Sequence, residues 1–186
     1  MKSVVGICIL LVATFFFTAC GNIDSKNKSN SESVKSEVNG DSINETQDLT
    51  AGISFKDKDG KTVMLSSLKG KVVFLNFWAL WCPPCIEEIP SIHKLKQTFK
   101  GNQDIVFLMV DVDNKIDKSL SYMKRNNFDL DVFVPNSDIP ANYLGNAIPT
   151  TVILDKSGDM IEHLEGGRDY SRPEMVKLLK KLIDSN

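Results

Sequence analysis

Cys82 and Cys85 stand one helical turn apart in the run Trp81-Cys82-Pro83-Pro84-Cys85, straight after the apolar run Val72-Val73-Phe74-Leu75-Asn76-Phe77-Trp78. A strand that ends in a Cys-x-x-Cys at the head of a helix is the layout of a thiol–disulfide exchange site. A helix N-cap offers free amides and the positive end of the helix dipole, and both favour a thiolate at Cys82. Cys85, one turn further in, suits the second thiol, the one that resolves a mixed disulfide. The two prolines stiffen the turn and remove the amide donors of residues 83 and 84. Thiolate stabilisation is then left to the Cys85 amide and thiol and to the dipole. That argues against a very acidic Cys82 and so against a strong oxidant, because a very stable thiolate is what makes a disulfide oxidising.

The chain has 186 residues, a formal net charge of −2 and 42% apolar residues. That is enough for one domain with a real core, plus appendages. No basic stripe is present to meet phosphate, so no nucleic-acid partner is expected. Met1-Lys2 and the apolar run over 4–19 have the length of a signal-peptide core, shorter than a spanning helix. The run stops at Phe17-Thr18-Ala19-Cys20-Gly21. This resembles the bacterial lipobox, in which small residues precede a cysteine that receives lipid; Phe17 departs from the usual Leu. Residues 1–19 are read as a lipoprotein signal peptide and Cys20 as the lipidated residue, with an uncleaved anchor as the alternative. Either one holds the folded part to a membrane outside the cytoplasm, in the periplasm or on the outer face of the cell membrane. Of the four cysteines, Cys8 would be removed and Cys20 would carry lipid. Cys82 and Cys85 are too few for a disulfide framework, and remain open to bonding each other, a partner protein or a metal.

Residues 20–52 are polar, with little to bury, and read as a flexible tether after the lipidated cysteine. Residues 53–186 are the globular domain. Residues 54–65 read as a hairpin turning at Asp59-Gly60, and 66–70 as a short turn or helix. After the strand 72–78, a helix runs from about Pro83 to Phe99 with Ile86, Ile89, Ile92 and Phe99 on one face. Pro83 suits its first position, and Pro90, inside it, is expected to kink it. Strands follow at 105–112, 132–134, 150–154 and 159–164, with helices at 115–127, 138–144 and 172–183. Strands alternating with helices and ending in a hairpin and a helix predict an α/β fold, a mixed sheet covered on both faces.

With these elements in place, the segment Val73-Phe74-Leu75-Asn76-Phe77-Trp78-Ala79-Leu80-Trp81-Cys82-Pro83-Pro84-Cys85 resembles the active-site stretch of the thioredoxin superfamily. The Pro-Pro pair, the upstream hairpin and the lipobox are similar to its TlpA/ResA group of extracytoplasmic disulfide reductases. Ala147-Ile148-Pro149-Thr150-Thr151 resembles the family's cis-proline segment. The resemblance covers about 53 to 183. It implies a thioredoxin-like fold: a central mixed β-sheet flanked by helices, with an N-terminal β-hairpin and an inserted helix–strand element at 115–134. It further implies a redox-active Cys82–Cys85 disulfide couple and no cofactor or metal. Trp81, Ile148 and Pro149 would contact substrate, Ile148 through its backbone. Thioredoxin itself has a buried acid where this chain has Asn76, which cannot titrate. Glu87 and Glu88, expected in the first helical turn, are the nearest acids and the candidate proton relay. Trp78 is expected in the core, and His93 and His163 at the surface.

The implied activity is a membrane-tethered thiol–disulfide oxidoreductase that reduces protein disulfides. A DsbD/CcdA-type membrane carrier would supply the electrons. Apocytochrome c is a family-suggested target, which would place the protein in cytochrome c maturation. Copper binding and delivery is a competing reading, weakened because two thiolates alone make a poor Cu(I) site and no second pair exists. A thiol peroxidase of related fold needs one reactive cysteine, whereas the flanks here match the oxidoreductase pattern.

Overall fold

The structure, a computed structural model, describes residues 50–185. Cys20, the signal segment and the tether as far as residue 49 lie outside the described residues. The order of elements is β1 (Ser54–Lys56), β2 (Thr62–Met64), a 3-10 turn (Leu65–Leu68), β3 (Val72–Trp78), α1 (Pro83–Thr98), β4 (Ile105–Asp111), α2 (Ile116–Arg125), β5 (Val132–Pro135), α3 (Ala141–Leu144), β6 (Thr150–Leu154), β7 (Met160–Glu165) and α4 (Pro173–Asp184). The expected elements are all present; the strands 72–78 and 150–154 coincide with expectation and the other ends shift by at most three residues. α1 continues through Pro90 as one helix.

Seven strands form one mixed sheet in the order β2-β1-β5-β4-β3-β6-β7. β3 pairs parallel with β4 and antiparallel with β6. All seven residues of β3 are buried, because the strand is covered on both faces and flanked on both edges. This is why it reads as a continuous apolar run instead of an alternating one. Val72, Phe74 and Trp78 point into a core shared with Ile89, Ile92 and Leu95 of α1, Met123 of α2 and Leu179 of α4. Val73, Leu75 and Phe77 enter the opposite core with Phe55, Val152 and Tyr143. The β1–β2 hairpin turns at Gly60, whose φ of +77° is open to glycine. The Asp57 carboxylate fastens the turn, accepting from the amides of Asp59 and Lys61 at 2.9 Å each. β1 then extends the sheet beside β5, with Phe55 opposite Pro135.

Two strand ends lie together at one rim of the sheet. Because β3 and β4 run parallel, the loops after Trp78 and Asp111 emerge side by side, and the Val112 amide donates to the Trp78 carbonyl at 3.1 Å. Asp111 is buried and shapes the second loop. Its carboxylate accepts from the amides of Asp113 (2.9 Å) and Lys115 (3.1 Å) and from Ser119 Oγ (2.7 Å). Asp111→Ala strands these three donors. It is expected to cost about 3 kcal/mol, read as a fall in the urea midpoint with no change of denaturant slope.

Candidate active site

The site grows from the exit of β3. Ala79, Leu80 and Trp81 carry the chain over the sheet edge, and Cys82 becomes the N-cap of α1 with extended φ, ψ of −94° and 102°. Pro83 and Pro84 open the helix, where a missing amide costs nothing. Cys82 and Cys85 are joined in a disulfide. The Cys85 amide donates to Cys82 Sγ at 3.3 Å. Cys85 is fully buried and Cys82 is 3% exposed.

Across from the disulfide, the loop before β6 carries a cis Ile148–Pro149 peptide. The Ile148 carbonyl oxygen lies 3.7 Å from Cys82 Sγ. Thr150 Oγ1 donates to the Ala147 carbonyl at 2.5 Å, and the Gly166 amide donates to the Pro149 carbonyl at 2.8 Å. The expected sulfur, cis-proline and Ile148 backbone thus meet at one place.

Behind the disulfide is a buried polar chain that begins at Asn76. Asn76 faces α1 from β3, on the same side as Phe74 and Trp78. Its Nδ2 donates to Glu88 Oε1 at 2.7 Å and to Thr151 Oγ1 at 2.9 Å. Tyr170 donates its hydroxyl to the same Thr151 Oγ1 at 2.6 Å, and the Arg168 amide donates to Glu88 Oε2 at 3.3 Å. Glu88 is 2% exposed. Burial pushes its carboxyl from the ordinary 4.5 up to about 7, against the pull of Asn76, the Arg168 amide and the Arg168 charge. Burial and the nearby Glu88 carboxylate likewise raise the Tyr170 hydroxyl, so Tyr170 stays a donor. Cys85 and Glu88 are three residues apart on α1 and therefore neighbours on one face.

The two candidate acids are separated by this geometry. Glu87 is exposed and outside the polar chain, whereas Glu88 is inside it. Because α1 opens at Pro83, both belong to its second turn and not the first. Trp78 is fully buried, as expected. Trp81 is 64% exposed, and its Nε1 donates to Asp113 Oδ2 at 2.8 Å, which pins the indole to the β4–α2 loop beside the site. Asp113 also pairs with Lys115 Nζ at 2.9 Å; these partners hold its carboxyl below the ordinary carboxylate value. His93 and His163 are half-buried: His93 packs on Phe128, and His163 Nε2 is enclosed. Sequence reasoning gave no site role to Asp113, Thr151, Arg168 or Tyr170. Asp113 had a usable signal, since parallel pairing of β3 and β4 places the residues after Asp111 beside those after Trp78.

Fold and site together define the class, a thioredoxin-like protein whose chemistry is thiol–disulfide exchange. The Redoxin family profile matches residues 39–179. The thiol-disulfide oxidoreductase ResA of Bacillus subtilis is 31% identical over 127 residues, covering 68% of this chain and 70% of that protein. Among solved structures, a thioredoxin-family thiol:disulfide interchange protein from Chlorobium tepidum superposes with a TM-score of 0.54 at 27% identity, over 70% of this chain and 92% of its own. The exposed lipoprotein thioredoxin of Streptococcus pneumoniae does so with a TM-score of 0.53 at 27% identity, over 69% and 98%. The chain belongs to the Redoxin family, as a TlpA/ResA-like member of the thioredoxin superfamily. It is a thiol–disulfide oxidoreductase.

A carboxyl whose pKa is higher folded than unfolded stabilises the fold fully below about pH 4.5 and loses that contribution as pH rises through about 7. Between pH 5 and 8 the wild-type unfolding free energy is therefore expected to drop by up to about 3 kcal/mol relative to Glu88→Gln. Urea melts of both proteins across that range check it; parallel curves would show that Glu88 is not held near 7.

Proposed function

We propose that this protein is a membrane-tethered, extracytoplasmic reductase of protein disulfides, with Cys82 attacking and Cys85 resolving. The observation that carries the reading is the Cys82–Cys85 disulfide at the α1 N-cap with the Ile148 carbonyl 3.7 Å from Cys82 Sγ; the buried Glu88 follows Cys85 by three residues on the same helix. In the dithiol form, the Cys82 thiolate attacks one sulfur of a substrate disulfide. That bond breaks, Cys82 becomes disulfide-linked to the substrate, and the departing sulfur takes up a proton. Cys85 then gives its proton to Glu88 and attacks Cys82 Sγ. The mixed disulfide breaks, the second substrate sulfur leaves and is protonated, and the Cys82–Cys85 disulfide is left behind. Two electrons pass from the protein dithiol to the substrate.

Glu88 suits the proton step because a carboxyl near 7 can accept and release a proton at neutral pH. Ile148 offers an edge to an extended substrate chain: its amide makes no hydrogen bond among the described residues, while its neighbours are tied back. The exposed Trp81 gives that chain an apolar platform. The reducing direction is supported by the turn, where prolines leave the Cys85 amide as the donor to Cys82 Sγ. A modestly stabilised thiolate goes with a reducing or mild couple. Among the described residues no group of three or more His, Cys, Asp or Glu side chains is arranged to hold a metal.

The tether reading rests on Cys20 and the signal-like run before it. No helix among the described residues is long and apolar enough to cross a membrane. A solved relative is itself an exposed lipoprotein. Electrons would come from a membrane thiol carrier of the DsbD/CcdA kind, and apocytochrome c is a candidate substrate.

Insulin disulfide reduction is expected for the wild type and absent in Cys82→Ala. Cys85→Ala should stall as a mixed disulfide on Cys82, trapping substrates. Turnover that survives Cys82→Ala would sink the assignment. Glu88→Gln should slow resolution about 100-fold and erase an inflection near pH 7. Stopped-flow decay of the mixed disulfide between pH 5 and 9 reads both effects. Cys20→Ser should move the full chain from the membrane to the soluble fraction, with loss of the lipid mass at Cys20; membrane retention would point to an uncleaved anchor.

A further inference from the structure

Glu165 closes β7, opposite Thr150 in the sheet register and so beside the residue that follows the cis-proline. Its carboxylate turns toward the loop after α3. Oε1 accepts from the Asn146 amide at 3.2 Å. The neighbouring Gly145 has a φ of +72°, and a Cβ there would land on that same carboxyl oxygen. The loop is thus built to receive the carboxylate: glycine supplies both the backbone conformation and the space.

The main chain just beyond Glu165 grips the rest of the site. The Gly166 amide donates to the Pro149 carbonyl at 2.8 Å. Gly167 lies close enough to Pro84 that a Cβ would come within 3.0 Å of the Pro84 carbonyl oxygen. The Arg168 amide reaches Glu88, while Arg168 Nη2 donates to the Glu165 backbone carbonyl at 2.8 Å. These contacts use backbone or Arg168 atoms, so truncating the Glu165 side chain leaves them in place. What the side chain alone holds is the Asn146 amide, two residues before Ile148; Gly145 and Ala147 on either side are tied by the Ala141 carbonyl and the Thr150 hydroxyl.

We propose that Glu165 is a positioning residue for protein substrates: its carboxylate fixes the loop that presents the Ile148 edge to an incoming chain. The proposal rests on the reading that this edge takes the substrate. Removing the carboxylate frees the Asn146 amide and loosens the edge that must be rigid to pair with an extended chain, so binding weakens. The sulfur chemistry is untouched, because neither cysteine nor Glu88 contacts Glu165.

The test is steady-state insulin reduction by the full chain, beside the reaction of the reduced protein with the small disulfide cystamine, which needs no edge. Glu165→Ala is expected to raise KM for insulin about fivefold to tenfold with kcat unchanged. Its cystamine rate and Cys82/Cys85 potential should match the wild type. Glu165→Gln keeps an oxygen acceptor and should restore KM to within about twofold. An unchanged KM in Glu165→Ala overturns the proposal, and so does an equal loss of rate toward cystamine, which would mean general damage to the site. Pro149→Ala separates the two readings. A raised insulin KM in Pro149→Ala, but not in Glu165→Ala, removes Glu165 and leaves the edge. An unchanged KM in Pro149→Ala removes the edge reading, and this proposal with it.

Discussion

Everything in this molecule is hung on β3. Its seven buried residues sit between β4 and β6 with helices or short turns on both faces. Burial on both faces demands apolar side chains, and a slip of one residue would exchange the two cores. The register is therefore strongly specified. From it come the placing of Asn76 opposite Thr151, the parallel exit beside β4 that lets Asp113 reach Trp81, and the delivery of Cys82 to the head of α1.

The one polar residue inside β3 marks where chemistry overrides packing. Asn76 uses both amide hydrogens, one on Glu88 and one on Thr151, and its Oδ1 is buried without a hydrogen-bond partner among the described residues. An apolar residue there would suit the core better. It would leave the Glu88 carboxylate buried with fewer donors, and an unpaired buried charge is far costlier than an unpaired amide oxygen. The buried acid that Asn76 meets stands on the facing helix: Glu88 accepts from its Nδ2. Local disagreement with the pattern of the strand is what a functional position looks like.

The fold was legible in the sequence because its signals are local. The Asp59-Gly60 turn, the unbroken apolar run 72–78, the proline at the first helical position and the amphipathic last helix each announce an element within a few residues. Boundaries moved where capping decides them: α2 begins at Ile116 because Asp111, several residues earlier, claims the preceding amides. The same effect misplaced the acids of α1. The helix starts at Pro83, which moves Glu87 and Glu88 out of the first turn and makes burial, not the dipole, the influence on Glu88.

Sequence by itself determined the reactive pair, the cis-proline motif and the order of elements around them, since these are carried by residue identity and spacing along the chain. Tertiary structure decided which acid is buried behind β3 and what ties the cis-proline loop in place. Glu87 and Glu88 are adjacent and chemically identical, and burial by β3 and the β7–α4 loop separates them. Trp81 and Asp113, Asn76 and Thr151, and Asn146 and Glu165 are distant in sequence. Each pair meets through strand register and loop direction, which no local pattern records. Spacing told where two sulfurs could react; only the packed sheet could tell which groups are dry enough, and close enough, to govern them.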